Sequence, residues 1–323
     1  KDLLSKYIKE NKSNIFEVGD FEGISSGSLI LDMELGGSLK AGVYTATGTS
    51  GGGKSSCALS FTEQFLKDKG RKGIYVQAER VLSEQHKSRT SIKFTNDPSA
   101  WEDGTCYLLT CNIFETIISL IKNLVKNNPE DIKYFFVIDS MNALIPEGDL
   151  EKSFSEANKV AGGALLSSDF LRRMSLAFSA KGHYCFLISQ VRSKVTIDKY
   201  KKEDAKLSNN SGGFAVDHYS EFIFEFQKAY GGDYIYKNAT DKANKANPIG
   251  RNAKVVLRKT NLENEGRLIS YPLKFRKDNK SCVWLEYEIV NMLISWNLVE
   301  RSGAWLSASE SVMQTIIDNG AEI

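Results

Sequence analysis

Short apolar runs alternate with helical patterns through the first two thirds of the chain. Runs typical of buried strands occupy residues 41–47, 73–79, 107–110, 134–140 and 184–190. Between them, apolar residues recur at helical spacing over residues 114–126 and 165–180, which predicts helices there. Strands that alternate with helices predict a mainly parallel sheet wound in right-handed crossovers.

The pattern changes in the last third, where apolar and polar residues alternate. This alternation covers residues 221–226, 254–259, 273–275 and 283–285. Because alternation is typical of a strand with one exposed face, we predict that these later strands are antiparallel. Helical patterns over residues 289–298 and 307–319 then predict a small C-terminal piece.

Two short helical patterns precede the first strand. The apolar residues Leu3, Leu4, Tyr7 and Ile8 recur at helical spacing between lysines. This spacing predicts an amphipathic helix over residues 1–10. The helix is too small to fold alone, so we expect its apolar stripe to dock on the main domain, with a neighbouring subunit as the alternative. Residues 23–37 predict a turn, a helix capped by a serine and a stop at two glycines.

These patterns predict three regions of the chain. Residues 1–22 form an N-terminal helical arm with a possible role in oligomerisation, residues 23–288 an α/β core, and residues 289–323 a small C-terminal helical segment. Within the core, no apolar period continues through residues 191–211, which we call the basic segment for its lysines and arginine. A connection of that length inside a compact domain is usually functional or disordered.

Composition places the chain among ordinary globular proteins. Its 323 residues are 41% hydrophobic and 25% charged, which suffices for one large domain with appendages. The net charge of +2 provides no overall basic field, so any affinity for nucleic acid must come from local clusters. No apolar window is long enough to span a membrane, and residues 1–20 are too polar for a secretory signal. We therefore expect the protein in the cytoplasm.

The cysteines point to the same compartment. They are Cys57, Cys106, Cys111, Cys185 and Cys282, scattered along the chain without a C-x-x-C pair. At least Cys57 and Cys185 lie in apolar elements. Buried free thiols in a reducing compartment are the simplest interpretation.

A glycine-rich stretch follows the first predicted strand and precedes a helical pattern. The stretch consists of Gly48, Thr49, Ser50, Gly51, Gly52, Gly53, Lys54 and Ser55, with Ser56 next, and we call residues 48–55 the phosphate loop. It fits the motif G-x-x-x-x-G-K-[ST], in which backbone N–H groups surround a phosphate at a helix N-terminus. Lys54 is predicted to reach the β- and γ-phosphates, and the Ser55 hydroxyl to ligate Mg²⁺. The alternative is a flexible turn that matches by chance.

Polar side chains end three of the predicted strands, at the edge where ligands gather in open α/β sheets. They are Glu79, Asp139 and Gln190. Asp139 follows four apolar residues in the Walker B pattern, whose carboxylate holds Mg²⁺ through water. A carboxylate there is otherwise costly to bury, so Asp139 is a candidate metal residue together with Ser55.

From residue 23 to about residue 307, the order of these elements resembles the RecA-type strand-exchange recombinases of the RecA/RadA superfamily. The matching pieces are residues 23–32 (the opening segment), 77–79 (the strand ending in the catalytic glutamate), 138–146 (the Walker B strand), 188–192 (the strand of a γ-phosphate-sensing glutamine), 211–213 (the end of the long DNA-binding loop) and 303–307 (a segment beyond the core in bacterial members). The combination is specific, although each piece is not.

Two places depart from the family pattern. The run Gly51-Gly52-Gly53 is richer in glycine than the usual loop, and Asp217-His218 stands where the bacterial members have a lysine–phenylalanine pair. A histidine there is closer to the archaeal and eukaryotic recombinases and to some phage relatives. The resemblance is therefore to the superfamily, and the subgroup stays open.

The resemblance implies a P-loop NTPase fold of the RecA type, with a mostly parallel twisted sheet flanked by helices and antiparallel strands added late. It also implies catalytic roles for Lys54, Glu79 and Gln190. Glu79 would activate the attacking water, and Gln190 would contact the γ-phosphate and signal its presence to the adjacent loop. The alternative for Glu79 is a surface carboxylate at a strand end, and the alternative for Gln190 is an amide that caps the sheet edge. His86 falls near where the family stacks a ring on adenine, although a surface histidine is the simpler interpretation.

The resemblance places single-stranded DNA on the basic segment. The candidate contacts are Arg192, Lys194, Lys199, Lys201, Lys202 and Lys206, with Gly212 and Gly213 at the end of the loop. Lys152 and Phe154 form a second candidate, which matches the family's shorter DNA loop in place more than in residues. A solvated run of charge is the alternative, and composition alone favours it.

The resemblance therefore predicts an ATP- and Mg²⁺-dependent protein that forms helical filaments on single-stranded DNA and exchanges strands with homologous duplex DNA. His218, Arg258 and Lys259 of the next protomer would complete the ATP site. The alternative is that these residues only make contacts within their own chain. Mediator and single-strand-binding proteins would be further partners. Two other functions stay open: a RecA-core helicase-type hexameric motor, and a non-hydrolysing nucleotide-bound mediator. A separate helicase-type domain is not visible, and Glu79 argues against the mediator.

Overall fold

The computed structural model describes residues 2–12, 15–16, 18–128, 131–150, 161–190, 213–238, 247–275, 280–303 and 305–319. Its strands are β1 (Gly42–Gly48), β2 (Arg71–Gln77), β3 (Lys93–Thr95), β4 (Thr105–Leu109), β5 (Lys133–Asp139), β6 (Tyr184–Ile188), β7 (Phe222–Phe226), β8 (Tyr234–Ile235), β9 (Gly250–Lys259), β10 (Leu268–Lys274), β11 (Val299–Ser302) and β12 (Trp305–Ala308). Its helices are α1 (Asp2–Glu10), α2 (Leu29–Glu34), α3 (Lys54–Phe65), α4 (Glu84–Lys87), α5 (Phe114–Lys126), α6 (Ala161–Lys181), α7 (Gly213–Tyr219), α8 (Leu285–Ser295) and α9 (Glu310–Asp318).

One large sheet organises the core. Its strands lie in the order β10-β9-β7-β1-β6-β5-β2-β4-β3, with β8 paired to β9. The strands from β7 to β3 pair in parallel, whereas β9 is antiparallel to β7, β8 and β10. The predicted fold class is therefore confirmed, including the antiparallel strands added late.

Buried side chains cover both faces of this sheet. On one face, α3 packs on the strands, and Phe61 lies 6.0 Å from Phe186, which stacks on Phe224 at 6.1 Å between ring centroids. On the other face, α5 and α6 bury side chains such as Ile121 and Phe178 against β5 and β6. Continuous apolar runs mark these strands in the sequence because each is covered from both sides.

The same covering corrects the prediction for residues 221–226, whose alternation indicated one exposed face. Strand β7 lies inside the sheet, parallel to β1 and antiparallel to β9. Its four apolar side chains, Phe222, Ile223, Phe224 and Phe226, are all buried. Glu225 is accommodated because its carboxylate pairs with Arg258 from β9.

The C-terminal predictions need two corrections. Residues 283–285 do not form a strand: Val283 makes only an isolated bridge to Leu273, and α8 begins at Leu285, before the predicted residue 289. The helix predicted from residue 307 begins at Glu310, because β12 pairs with β11 in a hairpin that aligns Ser307 with Glu300. Short runs near a turn fit a helix or a strand equally, and the hairpin partner decides between them.

The N-terminal helix forms as predicted, but its apolar stripe does not pack on the described core. Leu3 is 86% exposed, Leu4 67% and Tyr7 63%. Among the described residues, therefore, this stripe does not dock within the chain as expected. Docking on a neighbouring subunit stays a prediction, as do the proposed boundaries of the three regions.

All five cysteines are free thiols, and Cys57, Cys106, Cys185 and Cys282 are buried. Cys111 is half-buried. Burial raises the pKa of the Cys57 and Cys282 thiols to about 12, so both stay protonated at neutral pH. Within the described residues, no helix combines the length and apolar character that crossing a bilayer requires.

His183 is fully buried at the start of β6 and makes stability sensitive to pH. Its Nδ1 accepts a hydrogen bond from the Tyr134 N–H at 3.1 Å. Burial and the charges of Lys133 and Lys181 lower its pKa to about 3, against 6.5 in its unperturbed state. The folded state therefore favours the neutral ring, and stability is lost as pH falls below 6.5.

We expect His183 to reduce the free energy of unfolding by about 2 kcal/mol between pH 6.5 and pH 5, at about 1.4 kcal/mol per unit. Urea unfolding at several pH values measures this, and His183→Gln should flatten that part of the profile. His218→Gln, at an exposed position, is the matched control. An unchanged slope in His183→Gln would assign the acid sensitivity to other groups.

Candidate active site

The carboxyl ends of β1, β2, β5 and β6 meet at one edge of the sheet. The pairing of β2, β5 and β6 aligns Gln77 with Asp139 and Asp139 with Ile188, and β1 lies beside β6. Directly beyond these positions the chain continues into the phosphate loop, Glu79 and Gln190. The strand register thus brings the predicted site residues to the edge where α/β sheets bind ligands.

The phosphate loop turns tightly between β1 and α3. Gly48 has φ +124° and packs so closely on β7 that a Cβ there would lie 2.2 Å from the Phe226 carbonyl oxygen. Only glycine fits such a position. The candidates Thr49, Ser50, Gly51, Gly52 and Gly53 lie in this turn, and Ser56 lies in the first turn of α3.

Lys54 begins α3 and is only 8% exposed. Its Nζ donates hydrogen bonds to the carbonyl oxygens of Gly48 and Thr49, each at 2.8 Å. Burial lowers the pKa of this amine, while the carboxylates of Asp139 and Glu79 act in the opposite direction. The ammonium group is thus held at the loop itself, where a bound phosphate would compete for it.

Ser55 and Asp139 meet as the motif predicts. The Ser55 hydroxyl donates to Asp139 Oδ2 at 2.9 Å, and the Tyr75 hydroxyl donates to the same oxygen at 2.5 Å. Magnesium prefers a few oxygen ligands from protein and fills the remaining positions with water and phosphate oxygens. A serine hydroxyl beside a carboxylate fits that preference, so Ser55 and Asp139 would hold the ion.

Glu79 and Gln190 are in direct contact. Gln190 Nε2 donates to both carboxylate oxygens of Glu79, at 2.8 and 2.6 Å. The Ser140 hydroxyl donates at 2.9 Å and Arg80 at 3.2 Å to the same carboxylate. Burial alone would raise the pKa of Glu79, but the hydrogen bonds from Ser140, Arg80 and Gln190 lower it below its usual value. The carboxylate is therefore ionised at neutral pH, as a general base must be.

The main chain of Gln190 is held by one side chain. Asn142 Oδ1 accepts from the Gln190 N–H at 2.9 Å, and Asn142 Nδ2 donates to the Gln190 carbonyl oxygen at 3.2 Å. The Ser189 hydroxyl also donates to Asn142 Oδ1, at 3.1 Å. Asn142 therefore joins the end of the Walker B strand to the residue that precedes the basic segment.

The family of this chain follows from its match to a protein-family model. The model described as the RecA N-terminal domain matches residues 11–263. The chain belongs to the RecA family. Members of this family are P-loop ATPases that use ATP with Mg²⁺, so membership supports a function in DNA recombination and repair and the presence of an ATP-binding core.

Whole-chain relatives of this RecA-family protein are distant in sequence. The protein RecA of Thermosynechococcus vestitus is 26% identical over 304 residues, which cover 92% of this chain and 76% of that protein. The protein RecA of Malacoplasma penetrans is 25% identical over 316 residues, covering 96% and 85%. A crystal structure of the RadB recombinase matches 79% of this chain and 97% of its own, with 17% identity and a TM-score of 0.48.

Lys259, one of the residues proposed to complete the ATP site of the next RecA-family protomer, lies away from the phosphate loop of its own chain. Lys259 is aligned with Ile223, at the opposite end of β7 from Phe226. Its Nζ donates to the carbonyl oxygens of Asp217 and His218, at 2.8 and 2.6 Å. Arg258 donates to Glu225, with Nη2 3.2 Å from Oε1. His218 is exposed, and the roles of these residues across a junction stay predictions.

His86 lies in α4, the short helix that follows Glu79 in the chain. Ser83 Oγ is 2.8 Å from its Nδ1. Burial lowers the pKa of His86, followed by the charge of Arg89, while the Asp139 carboxylate acts in the opposite direction. The ring is half-buried, which differs from the surface histidine that was the simpler interpretation.

Most of the candidate DNA contacts fall outside the described residues. These are Lys152, Phe154, Arg192, Lys194, Lys199, Lys201, Lys202, Lys206 and Gly212. Gly213 is described as the first residue of α7. Their roles in this RecA-family chain therefore stay predictions.

Sequence reasoning missed three residues at this edge: Tyr75, Asn142 and Arg251. Tyr75 is a hydroxyl in an otherwise apolar strand, and Asn142 is an amide shortly after the Walker B carboxylate. Arg251 shares the alternation of Ala253 and Val255, which are buried. The sequence contains each of these features, but only the folded chain shows what each side chain contacts.

Proposed function

We propose that the protein is an ATP-dependent recombinase that assembles as a helical filament on single-stranded DNA and exchanges strands with homologous duplex DNA. The observation that carries the proposal is the bidentate contact from Gln190 to Glu79. It joins the predicted base for hydrolysis to the residue directly before the basic segment. A site that only bound nucleotide would have no need of such a connection. Buried free thiols support a reducing compartment such as the cytoplasm.

We assign a role in hydrolysis to each of the site residues. Lys54 would move from the loop carbonyls to the phosphates, and the loop N–H groups would hold the phosphate chain. Magnesium, held by Ser55 and Asp139, would offset charge on the phosphate oxygens. Glu79 would orient the attacking water and accept its proton, since its carboxylate is ionised and is fixed by Ser140.

Two features support assembly into a filament. The apolar stripe of α1 is exposed and would be covered by a neighbouring protomer. Lys259 lies at the opposite end of β7 from Phe226, which packs on the phosphate loop, and Arg258 directly precedes it, so both are candidates to reach the nucleotide of another protomer. A cation at the γ-phosphate would stabilise developing charge and couple hydrolysis to assembly.

Electron microscopy and a strand-exchange assay test the proposal together. With ATP, Mg²⁺ and single-stranded DNA, we expect helical filaments and transfer of a labelled strand from homologous duplex. Closed rings without strand transfer would favour the helicase-type motor. Nucleotide binding without hydrolysis or assembly on DNA would favour the mediator.

A further prediction concerns the lysines of the basic segment and their contribution to DNA binding. Replacing Lys199, Lys201, Lys202 and Lys206 by alanine should weaken binding to every single-stranded sequence and flatten its salt dependence, by about 0.7 in the logarithmic slope for each lost phosphate contact. Fluorescence anisotropy at several salt concentrations measures this, while hydrolysis without DNA should be little affected.

The matched control replaces four exposed lysines elsewhere, Lys40, Lys67, Lys69 and Lys93. These should leave the slope at the parent value. If both quadruple variants bind DNA with the parent's affinity and slope, the basic segment is a solvated run of charge.

A further inference from the structure

Arg251 is a buried cation beside the phosphate loop. It lies in β9 in the same alternation as Ala253, Val255 and Leu257, which are buried on the α3 side of the sheet. Its side chain is only 8% exposed. Its Nη2 lies 3.4 Å from the position that a Cβ on Gly53 would take, and Gly53 directly precedes Lys54. The guanidinium therefore sits against the last turn of the phosphate loop.

Among the described residues, no carboxylate forms an ion pair with this guanidinium. Across the part of the chain that the structure describes, Arg251 makes neither an ion pair nor a hydrogen bond. Asp233, whose charge acts on Arg251, is itself paired with Lys254 at 2.6 Å. Burial lowers the pKa of Arg251, which shows the cost of holding this charge away from water. A buried charge without a partner is strongly unfavourable, so the site is suited to an incoming anion.

A second arginine lies near the first. Arg89 follows α4, and its guanidinium lies over the Phe275 ring, 4.8 Å from the centroid. Its Nε is buried and has no hydrogen-bond partner among the described residues. Burial lowers the pKa of Arg89, and the nearby charge of Arg251 lowers it further. An anion that contacted both guanidinium groups would relieve their mutual repulsion.

We propose that Arg251 is a further nucleotide-binding residue, supplied by the same protomer, which contacts the α- or β-phosphate at the Gly53 side of the phosphate loop, with Arg89 as the second cation. The position follows from the motif, because the backbone of this loop surrounds the α- and β-phosphates. A guanidinium matches phosphate oxygens in two parallel hydrogen bonds. Arg251 therefore differs from Arg258 and Lys259, which lie at the opposite end of β9. The inference rests on the proposed use of the loop for nucleotides.

Calorimetric binding of ADP with Mg²⁺ tests this, because ADP carries both phosphates and is not turned over. Arg251→Met keeps an unbranched apolar side chain and removes the guanidinium charge. We expect ADP to bind about 10- to 100-fold more weakly, as for the loss of a charge-assisted contact. Adenosine, the probe without phosphate, should bind equally to parent and variant. Arg251→Lys, which keeps the charge, should lie between the two for ADP.

Stability without nucleotide separates binding from structure. Removing a buried, unpaired charge should keep or raise the midpoint of thermal unfolding in Arg251→Met, while the stabilisation by ADP shrinks. A structural arginine would show the opposite, with a lower midpoint and equal losses for ADP and adenosine. Lys254→Met, on the same strand but paired with Asp233, is the control and should keep ADP affinity.

The outcomes for the two proposals are distinct. A parent protein that does not bind ADP would overturn the nucleotide-dependent function and this inference together. A parent that binds ADP, with Arg251→Met and Arg251→Lys both binding equally well, would overturn only the role of Arg251. If Arg251→Met does not fold, Arg251→Lys still decides, because parent affinity with a lowered unfolding midpoint would mark a structural role.

Discussion

We expect Lys54→Ala to abolish nucleotide binding or turnover while the chain stays folded. The Nζ is held at the phosphate loop by two carbonyl oxygens, so its contacts belong to the loop and not to the core. The tight turn depends on glycines such as Gly48 packed on Phe226, and these remain. Loss of a cation aimed at the phosphates should reduce turnover by about two to three orders of magnitude or more. Phosphate release and calorimetric binding measure both effects.

Lys67→Ala is the matched control, because Lys67 follows the same helix and is exposed. Circular dichroism should show native content in both variants. Full ATPase activity with normal binding in Lys54→Ala would remove the assignment of the phosphate loop.

The same variant tests the shared junction. An Arg258→Ala, Lys259→Ala double variant should keep the nucleotide affinity of the dilute protomer and lose DNA-stimulated hydrolysis. Mixed with Lys54→Ala, it should regain part of that activity, since each protein supplies what the other lacks. A mixture that assembles together but stays inactive would show that Arg258 and Lys259 do not act across the junction.

Glu79→Gln should leave ATP binding and assembly on DNA intact and lower hydrolysis by about two to four orders of magnitude. Glutamine keeps the shape of the side chain and can still accept from the Ser140 hydroxyl, which donates to Glu79 at 2.9 Å. It cannot accept a proton from water at neutral pH. Steady-state and single-turnover phosphate release separate the chemical step from binding.

Glu84→Gln provides the control for this prediction, because Glu84 is exposed on α4 and its carboxylate pairs with Lys87, away from Glu79 in the sequence. It should hydrolyse ATP at the parent's rate. Near-normal turnover in Glu79→Gln would move the role of the base to another residue.

The core of the fold could be predicted because its strands are covered on both faces. Such strands are continuous apolar runs, and each prediction for residues 73–79, 134–140 and 184–190 lies within two residues of the observed strand ends. The C-terminal piece could not be predicted as well. There, the pairing of Ser307 with Glu300 depends on a partner strand that local periodicity does not contain.

The candidate site likewise has residues that the sequence predicts and one that it does not. Lys54, Ser55 and Asp139 follow from motifs whose spacing reflects their chemistry. Arg251 could not be singled out, because a basic residue in an alternating strand is ordinarily placed on the solvent side. Its burial depends on β9 lying against the phosphate loop, and that neighbour comes from the order of strands in the sheet.

The double attachment of Gln190 by Asn142 determines which part of Gln190 can move. Both its N–H and its carbonyl oxygen are engaged, so a ligand that attracts the Gln190 amide must do so through rotation about the side-chain χ angles. Any such rotation withdraws two hydrogen bonds from Glu79, and these are among the bonds that lower its pKa. The carboxylate then becomes a stronger proton acceptor when that ligand arrives. Departure of Gln190 would thus raise the base strength of Glu79, while Ser140 and Arg80 continue to lower its pKa.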